Sequence, residues 1–132
     1  ANYVALGHLH KAQQVAKSNV IRYSGTPIPM SFSERNYTHQ VNVVEFIIDE
    51  KQHISTTVNP LYIPRSADVI ILPKGECVPL SELCEQIKAL DTSQNTIAPY
   101  LRVKLKSSDT DTTFREQIEQ ALEGKHIKFK RS

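Results

Sequence analysis

No stretch of the 132-residue chain approaches the roughly 20 consecutive apolar residues that a membrane-spanning helix requires, so no membrane partner is expected. No basic, then apolar, then small-residue leader opens the sequence, and secretion is not expected either. Cysteine is scarce. Cys77 and Cys84 are the two present, and their spacing fits no CxxC metal or redox pattern. Cys84 falls on an apolar helical stripe, where a thiol packs as a small hydrophobe. A reducing, cytoplasmic setting is the expectation. Charge of one sign is lacking too: 16 Lys and Arg against 14 Asp and Glu leave a formal +2, too little to imply nucleic acid by total charge. Internal repeats and low-complexity tracts are absent. The chain also has no starting Met and opens directly on an apolar run, as expected for a fragment of a longer protein.

What is present divides into two halves. The first reads as strands and loops. Tyr3 to Leu6 is an apolar strand ended by Gly7, and Val20 to Tyr23 is a second short one. Val41 to Ile48 is a long strand rich in β-branched residues, and Asp49-Glu50-Lys51-Gln52 is a polar turn before a return strand over His53 to Val58. Pro60 and Pro64 bracket Leu61-Tyr62-Ile63, and because proline lacks a backbone donor a boundary is placed there. The second half begins with a strand over Ala67 to Leu72, closed by Pro73-Lys74-Gly75. Leu80, Leu83, Cys84, Ile87 and Leu90 form one stripe of an amphipathic helix, with Pro79 in its first turn. Tyr100 to Lys106 alternates. Thr113 and Glu116 form a capping-box pattern, Phe114, Ile118, Ala121 and Leu122 mark a second helix, and Gly124 ends it. Ile127 and Phe129 begin a last strand. The fold class is α+β, with domains 1–61 and 62–132, the second a β-α-β-α-β unit with two helices on one face of a sheet.

Chemistry is concentrated in Gly7-His8-Leu9-His10. In an extended segment, residues i and i+2 point to the same side, which would bring the two imidazoles together. Gly7 would let the chain turn and let a metal approach the backbone. Paired neutral imidazoles suit Mn, Zn or Fe. A hydrolytic two-metal centre also needs bridging carboxylates and further ligands. The chain after His10 contains no Asp-x-His, no Gly-Asp-x-x-Asp and no Gly-Asn-His-Asp, and its carboxylates are scattered over turns and helices.

The run Tyr3-Val4-Ala5-Leu6-Gly7-His8-Leu9-His10-Lys11-Ala12-Gln13 resembles the last motif, Gly-His-x-His, of the calcineurin-like metallophosphoesterases. Ile21-Arg22-Tyr23-Ser24-Gly25-Thr26-Pro27-Ile28-Pro29-Met30-Ser31-Phe32-Ser33-Glu34 resembles the segment after that motif in the SbcD family of nuclease subunits, and Val43-Val44-Glu45-Phe46 fits the strand after it. From Tyr62 onward the likeness is one of layout to the SbcD-type C-terminal capping domain. The resemblance implies that residues 1–61 are the C-terminal part of a metallophosphoesterase β-sandwich, with the other ligand motifs upstream of Ala1. It implies His8 and His10 as ligands of a two-metal site, with manganese the expected metal, and His10 also catalytic as an acid beside the leaving oxygen. The implied activity is ATP-dependent exonuclease action on double-stranded DNA and endonuclease action on single strands, in DNA repair, recombination and replication. The implied partners are DNA, an SbcC-type ATPase and a second copy of the nuclease subunit, while the fragment alone is expected to be inactive.

Ser24-Gly25-Thr26-Pro27 reads as a turn set by its glycine and proline in preference to a phosphate contact. Lys11 and Arg22 are candidates for DNA phosphates near the site, balanced against plain solvated charge. Arg102, Lys104 and Lys106 alternate with apolar residues, as do Lys128 and Lys130. If their strands share a sheet, five cations would face a DNA backbone, the plain alternative being a solvated face guarded by lysine. His39, His53 and His126 receive no role. Two other readings remain: a non-catalytic DNA-binding or dimerisation module built on the second half, and a phosphoesterase acting on proteins or nucleotides, against which Tyr23 to Glu34 argues. Exposed strand edges in a truncated sheet are expected to drive self-association.

Overall fold

A computed structural model describes residues 1–106 and 113–129. Its chain divides into two compact units, Ala1–Arg65 and Ser66–Ser132. The first is built almost entirely from extended segments. β1 (Val4–Leu6) lies parallel to β3 (Ile21–Tyr23), with Val4 beside Ile21 and Leu6 beside Tyr23. A two-residue strand that the sequence pattern does not announce, β2 (Gln13–Gln14), pairs antiparallel on the other side of β3. It returns into β3 through Ala16 and Lys17, both left-handed at φ 50° and 58°, with the Ser18 amide donating to the Val15 carbonyl at 2.9 Å. Two left-handed central residues match the right-handed twist of a tight hairpin. Ala-Lys carries none of the Asn-Gly or Gly-Gly chemistry that usually marks such a turn.

β4 (Gln40–Ile48) and β5 (Ile54–Tyr62) form a long antiparallel hairpin, in register from Gln40 opposite Tyr62 to Ile48 opposite Ile54. Its turn is the polar one expected. The Asp49 carboxylate accepts the amides of Lys51 and His53, both at 2.8 Å, and Gln52 takes a φ of 63°. β5 does not stop at Val58. It continues through Pro60 to Tyr62, so Leu61 and Tyr62 of the proline-flanked segment are strand, and the chain divides after Arg65. Both strands of a two-stranded ribbon are edges, and an edge tolerates a proline wherever the missing N–H would point outward. Phe46, Ile47, Ile48, Leu61 and Tyr62 are all more than half exposed, so the hairpin leaves apolar surface open.

The second unit follows the expected order. β6 (Val69–Leu72), α1 (Leu80–Lys88), β7 (Tyr100–Val103), α2 (Phe114–Leu122) and β8 (Lys128–Phe129) run in sequence. The three strands form one parallel sheet in the order β6-β7-β8. Right-handed crossovers advancing in one direction put both helices on the same face. There the Cys84 thiol of α1 reaches the Gln117 carbonyl of α2 at 3.7 Å. Leu83 and Ile87 of α1, Leu101 of β7 and Ile118 of α2 are fully buried at the centre of this core. Burial also pushes the Cys84 thiol pKa up, as befits a packing residue.

Three details differ from the sequence pattern. Pro79 occupies the cap position of α1 and not its first turn, with an extended ψ of 151°. Thr113 makes no side-chain capping bond, because at φ −87° and ψ −20° it is already helical, whereas a capping hydroxyl needs an extended backbone. β7 ends at Val103, three residues short of the alternating run.

Leu101 is fully buried in the cluster that gathers residues of the sheet and of both helices. Leu101→Ala is expected to lower stability by about 2–5 kcal/mol. Urea unfolding followed by circular dichroism measures it, and a loss below about 1 kcal/mol would show that this core is not closed over Leu101.

Candidate metal centre

β1 and β3 are parallel neighbours, so the loops that leave their C-terminal ends emerge side by side. One loop runs from Gly7 to Ala12 and carries both histidines, and the other begins at Ser24. They clasp each other through backbone. The Thr26 amide donates to the His10 carbonyl at 3.0 Å. Gly25 has φ +79°, and a Cβ there would come within 2.7 Å of the His10 oxygen and 2.8 Å of the Ala12 nitrogen. Ser24-Gly25-Thr26-Pro27 is therefore a structural turn whose glycine admits a close approach. His39 reinforces it. Its Nδ1–H donates to the Thr26 carbonyl at 2.9 Å, and its Nε2 is buried without a hydrogen-bond partner among the described residues.

The expected geometry around the histidines changes in one respect. Gly7 is not in a left-handed conformation, but His8 is, at φ 83°. The segment is therefore not extended, and residues i and i+2 are not obliged to share a side. Both histidines remain together on one exposed loop.

Glu34 is the functional candidate that motif reading passed over. It ends a single 3₁₀ turn, Phe32–Glu34, and is 5% exposed. Its Oε1 lies 2.5 Å from His10 Nδ1, and its Oε2 accepts the Met30 amide at 2.7 Å. Burial alone would raise its pKa. The His10 hydrogen bond, the Met30 amide, the His10 charge and the Ser31 hydroxyl outweigh burial and hold the carboxyl below its ordinary value. Its signal in the sequence is weak: one acid closing a turn-rich stretch, twenty-four residues from the histidine it binds.

With Nδ1 engaged, Nε2 is the nitrogen of His10 left to ligate a metal, and a solvent-facing imidazole fits that use. The donor set is partial. Among the described residues, no group of three or more His, Cys, Asp or Glu is gathered to hold an ion.

Comparison with known proteins gives this geometry a setting. The family model SbcD_C, described as the type 5 capsule protein repressor C-terminal domain, matches residues 66–132. The chain belongs to the SbcD family. It is 34% identical over 94 residues to the D subunit of nuclease SbcCD from Escherichia coli strain K12, covering 71% of this chain and 22% of the relative. Over 125 residues it is 31% identical to the corresponding SbcCD subunit of Rhodobacter capsulatus, covering 92% of this chain and 29% of the relative. A 46-residue stretch is 48% identical to that of Bacillus subtilis, covering 34% of this chain and 12% of the relative. The chain thus spans less than a third of the length of these relatives.

The remaining candidates in this SbcD-family chain are placed as follows. Lys11 Nζ lies 5.9 Å from the centre of the Tyr37 ring. Arg22 donates to the Asn19 carbonyl from Nε at 2.7 Å and to its Oδ1 from Nη2 at 3.3 Å, so its guanidinium is used locally. Arg102 and Lys128 fall on the same face of the second unit's sheet, away from its core, because Tyr100 pairs with Lys128 and Arg102 lies two residues on from Tyr100. Lys128 Nζ sits 5.0 Å from the Tyr100 ring centre. Lys104 lies beyond the end of β7 and donates to the Gly75 carbonyl at 3.1 Å, and Lys106 lies beyond it too. Lys130 is outside the described residues. Of the expected row of five cations, Arg102 and Lys128 lie on described strands, Lys104 and Lys106 lie past the end of β7, and Lys130 lies outside the described residues.

Gly25→Ala is expected to cost at least about 1–3 kcal/mol, since it combines a left-handed alanine with backbone contacts under 3 Å. Gly75→Ala, with nothing within 4 Å, is expected to change stability by less than about 0.5 kcal/mol. Thermal unfolding of the two variants checks the contrast, and equal losses would deny the clasp.

Proposed function

We propose that this chain is the C-terminal part of an SbcD-type nuclease subunit and gives His8 and His10 to a two-metal centre that hydrolyses DNA phosphodiesters. The observation that carries the reading is His10 itself, solvent-facing on the loop after β1, with Nδ1 bound to a buried carboxylate and Nε2 left to ligate. Membership of the SbcD family supports it, as do relatives named as a subunit of the nuclease SbcCD. The metals are divalent, manganese by preference. When bound, they supply activated water and neutralise charge on the phosphodiester. With Nδ1 bound to Glu34 and Nε2 given to a metal, His10 has no proton left for the leaving oxygen, so its role in this reading is that of a ligand and not of the expected acid.

The partners are DNA, an SbcC-type ATPase and a second nuclease subunit, in a cytoplasmic DNA-repair and recombination complex. ATP-dependent exonuclease action on duplex DNA and endonuclease action on single strands are the activities proposed for the whole subunit. The expected boundary at 61/62 moves to the division after Arg65: residues 1–65 belong to its nuclease sandwich and 66–132 to its capping domain. No helix among the described residues is long and apolar enough to cross a membrane. The isolated chain is inactive, because two imidazoles do not complete a hydrolytic centre.

Two substitutions in the full-length subunit test the reading. His8→Ala and His10→Ala are each expected to lower Mn²⁺-dependent cleavage of DNA by roughly two orders of magnitude or more, with DNA binding retained. Wild-type cleavage by either variant, or robust cleavage by residues 1–132 alone, would refute the reading.

A second role for the same chain, DNA holding without catalysis, is favoured by the face that carries Arg102, Lys128 and Tyr100. If both cations hold phosphates, Arg102→Glu combined with Lys128→Glu weakens DNA binding uniformly across sequences. The log–log salt slope also falls by about 2. Fluorescence anisotropy across a salt series measures both, and an unchanged slope would remove this face from the DNA interface.

A further inference from the structure

The two-metal reading calls for Gly-His-x-His but gives no task to Glu34. We propose that Glu34 is the positioning residue of His10, fixing the ring as its Nδ1–H tautomer and so presenting the Nε2 lone pair to the metal. The proposal rests on the reading of His10 as a ligand.

The geometry separates this role from an ordinary surface ion pair. The two partners are unequal: the His10 side chain is 46% exposed, whereas Glu34 is buried. Long side chains paired in solvent hold their geometry poorly and contribute little. Here the carboxylate end is fixed. Its backbone donates to the Ser31 carbonyl at 3.2 Å and accepts the Tyr37 amide at 2.9 Å, while Oε2 takes the Met30 amide. Only Oε1 remains, and it faces His10 Nδ1 at 2.5 Å. Both carboxylate oxygens are thus committed, so Glu34 is a poor metal ligand in its own right.

A carboxylate accepts and does not donate, so the ring proton sits on Nδ1. The neutral ring then carries its lone pair on Nε2, the form that a metal needs. A carboxylate behind a histidine ligand also fixes ring orientation and raises its basicity. Burying a carboxylate adds little stability by itself, because desolvation offsets most of the attraction. The pair makes better sense as a mount for the imidazole. The clasp by Thr26 and Gly25 holds the backbone of the same residue, so His10 is fixed at both main chain and ring.

The test uses the full-length subunit, metal-free, with ¹⁵N-labelled histidine. Long-range ¹H–¹⁵N correlation identifies the His10 tautomer, and calorimetric titration with Mn²⁺ gives affinity. The wild type with a neutral His10 ring is expected to show the Nδ1–H tautomer, and this readout depends on no variant. Glu34→Met fills the same space without an acceptor. It is expected to mix the tautomers and weaken Mn²⁺ binding about 10–100-fold. Glu34→Gln restores an accepting oxygen, and is expected to recover the tautomer and most of the affinity. A wild-type Nε2–H tautomer overturns the proposal, as does wild-type Mn²⁺ affinity in Glu34→Met. So does weakened affinity with an unchanged tautomer, which is the pattern of a merely structural residue. Full Mn²⁺ affinity in His10→Ala would instead overturn the reading beneath it, and that outcome is separate from the others.

Discussion

The contact between Glu34 and His10 organises the first unit's chemistry because it joins two segments that are distant in sequence. A parallel strand pair has to release its two outgoing loops at the same end, so β1 and β3 bring the histidine loop against the loop that begins at Ser24. Proximity alone leaves both loops free to move. The Thr26 amide, the left-handed Gly25 and the buried Glu34 carboxylate each remove part of that freedom, and all three act on His10 or its immediate backbone. Glu34 is in turn steadied by Met30 and by the 3₁₀ turn that it closes. His8, left-handed at φ 83°, has no comparable anchor among the hydrogen bonds described. The two histidines of one motif are therefore held to different degrees.

The two units bury their apolar residues differently. The second closes a core of its own, with two amphipathic helices laid on one face of a parallel sheet and Leu83, Ile87, Leu101 and Ile118 fully enclosed. The first has a long hairpin whose large residues, from Phe46 to Ile48 and at Leu61 and Tyr62, stay more than half exposed. A two-stranded ribbon has two faces and too few neighbours to cover them, and isolated hairpins are marginal in water. Tyr3 and Asn2 tie the ribbon to the start of the chain through Asn42 and Thr56, but these are polar contacts of single side chains.

How far the sequence could be read depended on whether the signal was local. α1 and α2 followed from apolar spacing, and the hairpin turn followed from a polar tetrad whose Asp49 does cap it. Gly124, left-handed at φ 73°, ends α2 as its position implied. Signals that depended on backbone conformation failed. Thr113 has the right side chain for a cap but an already helical backbone, and Pro60 looked like a breaker but lies on an edge that accepts it. β2 was invisible because its turn is made by Ala16 and Lys17, which have no turn chemistry of their own. In the site, the histidine pair was legible as a motif. Glu34 was not, since a pairing across twenty-four residues is decided by which strands are neighbours, and no local pattern encodes that.

Holding one imidazole takes more than the loop that carries it, and this constraint explains why so much of residues 20–39 bears on His10. A histidine free to rotate and to move its proton between nitrogens presents the wrong face or the wrong atom for much of the time, and each added constraint raises the fraction that is competent. The strand pair fixes the loop's origin, Gly25 permits contact too close for any other residue, and Glu34 restricts the ring. These restrictions arise from folding of the first unit alone. The segment from Ile21 to Glu34 then has a physical content: it supplies the strand beside β1, the glycine turn against the His10 backbone and the carboxylate against the His10 ring.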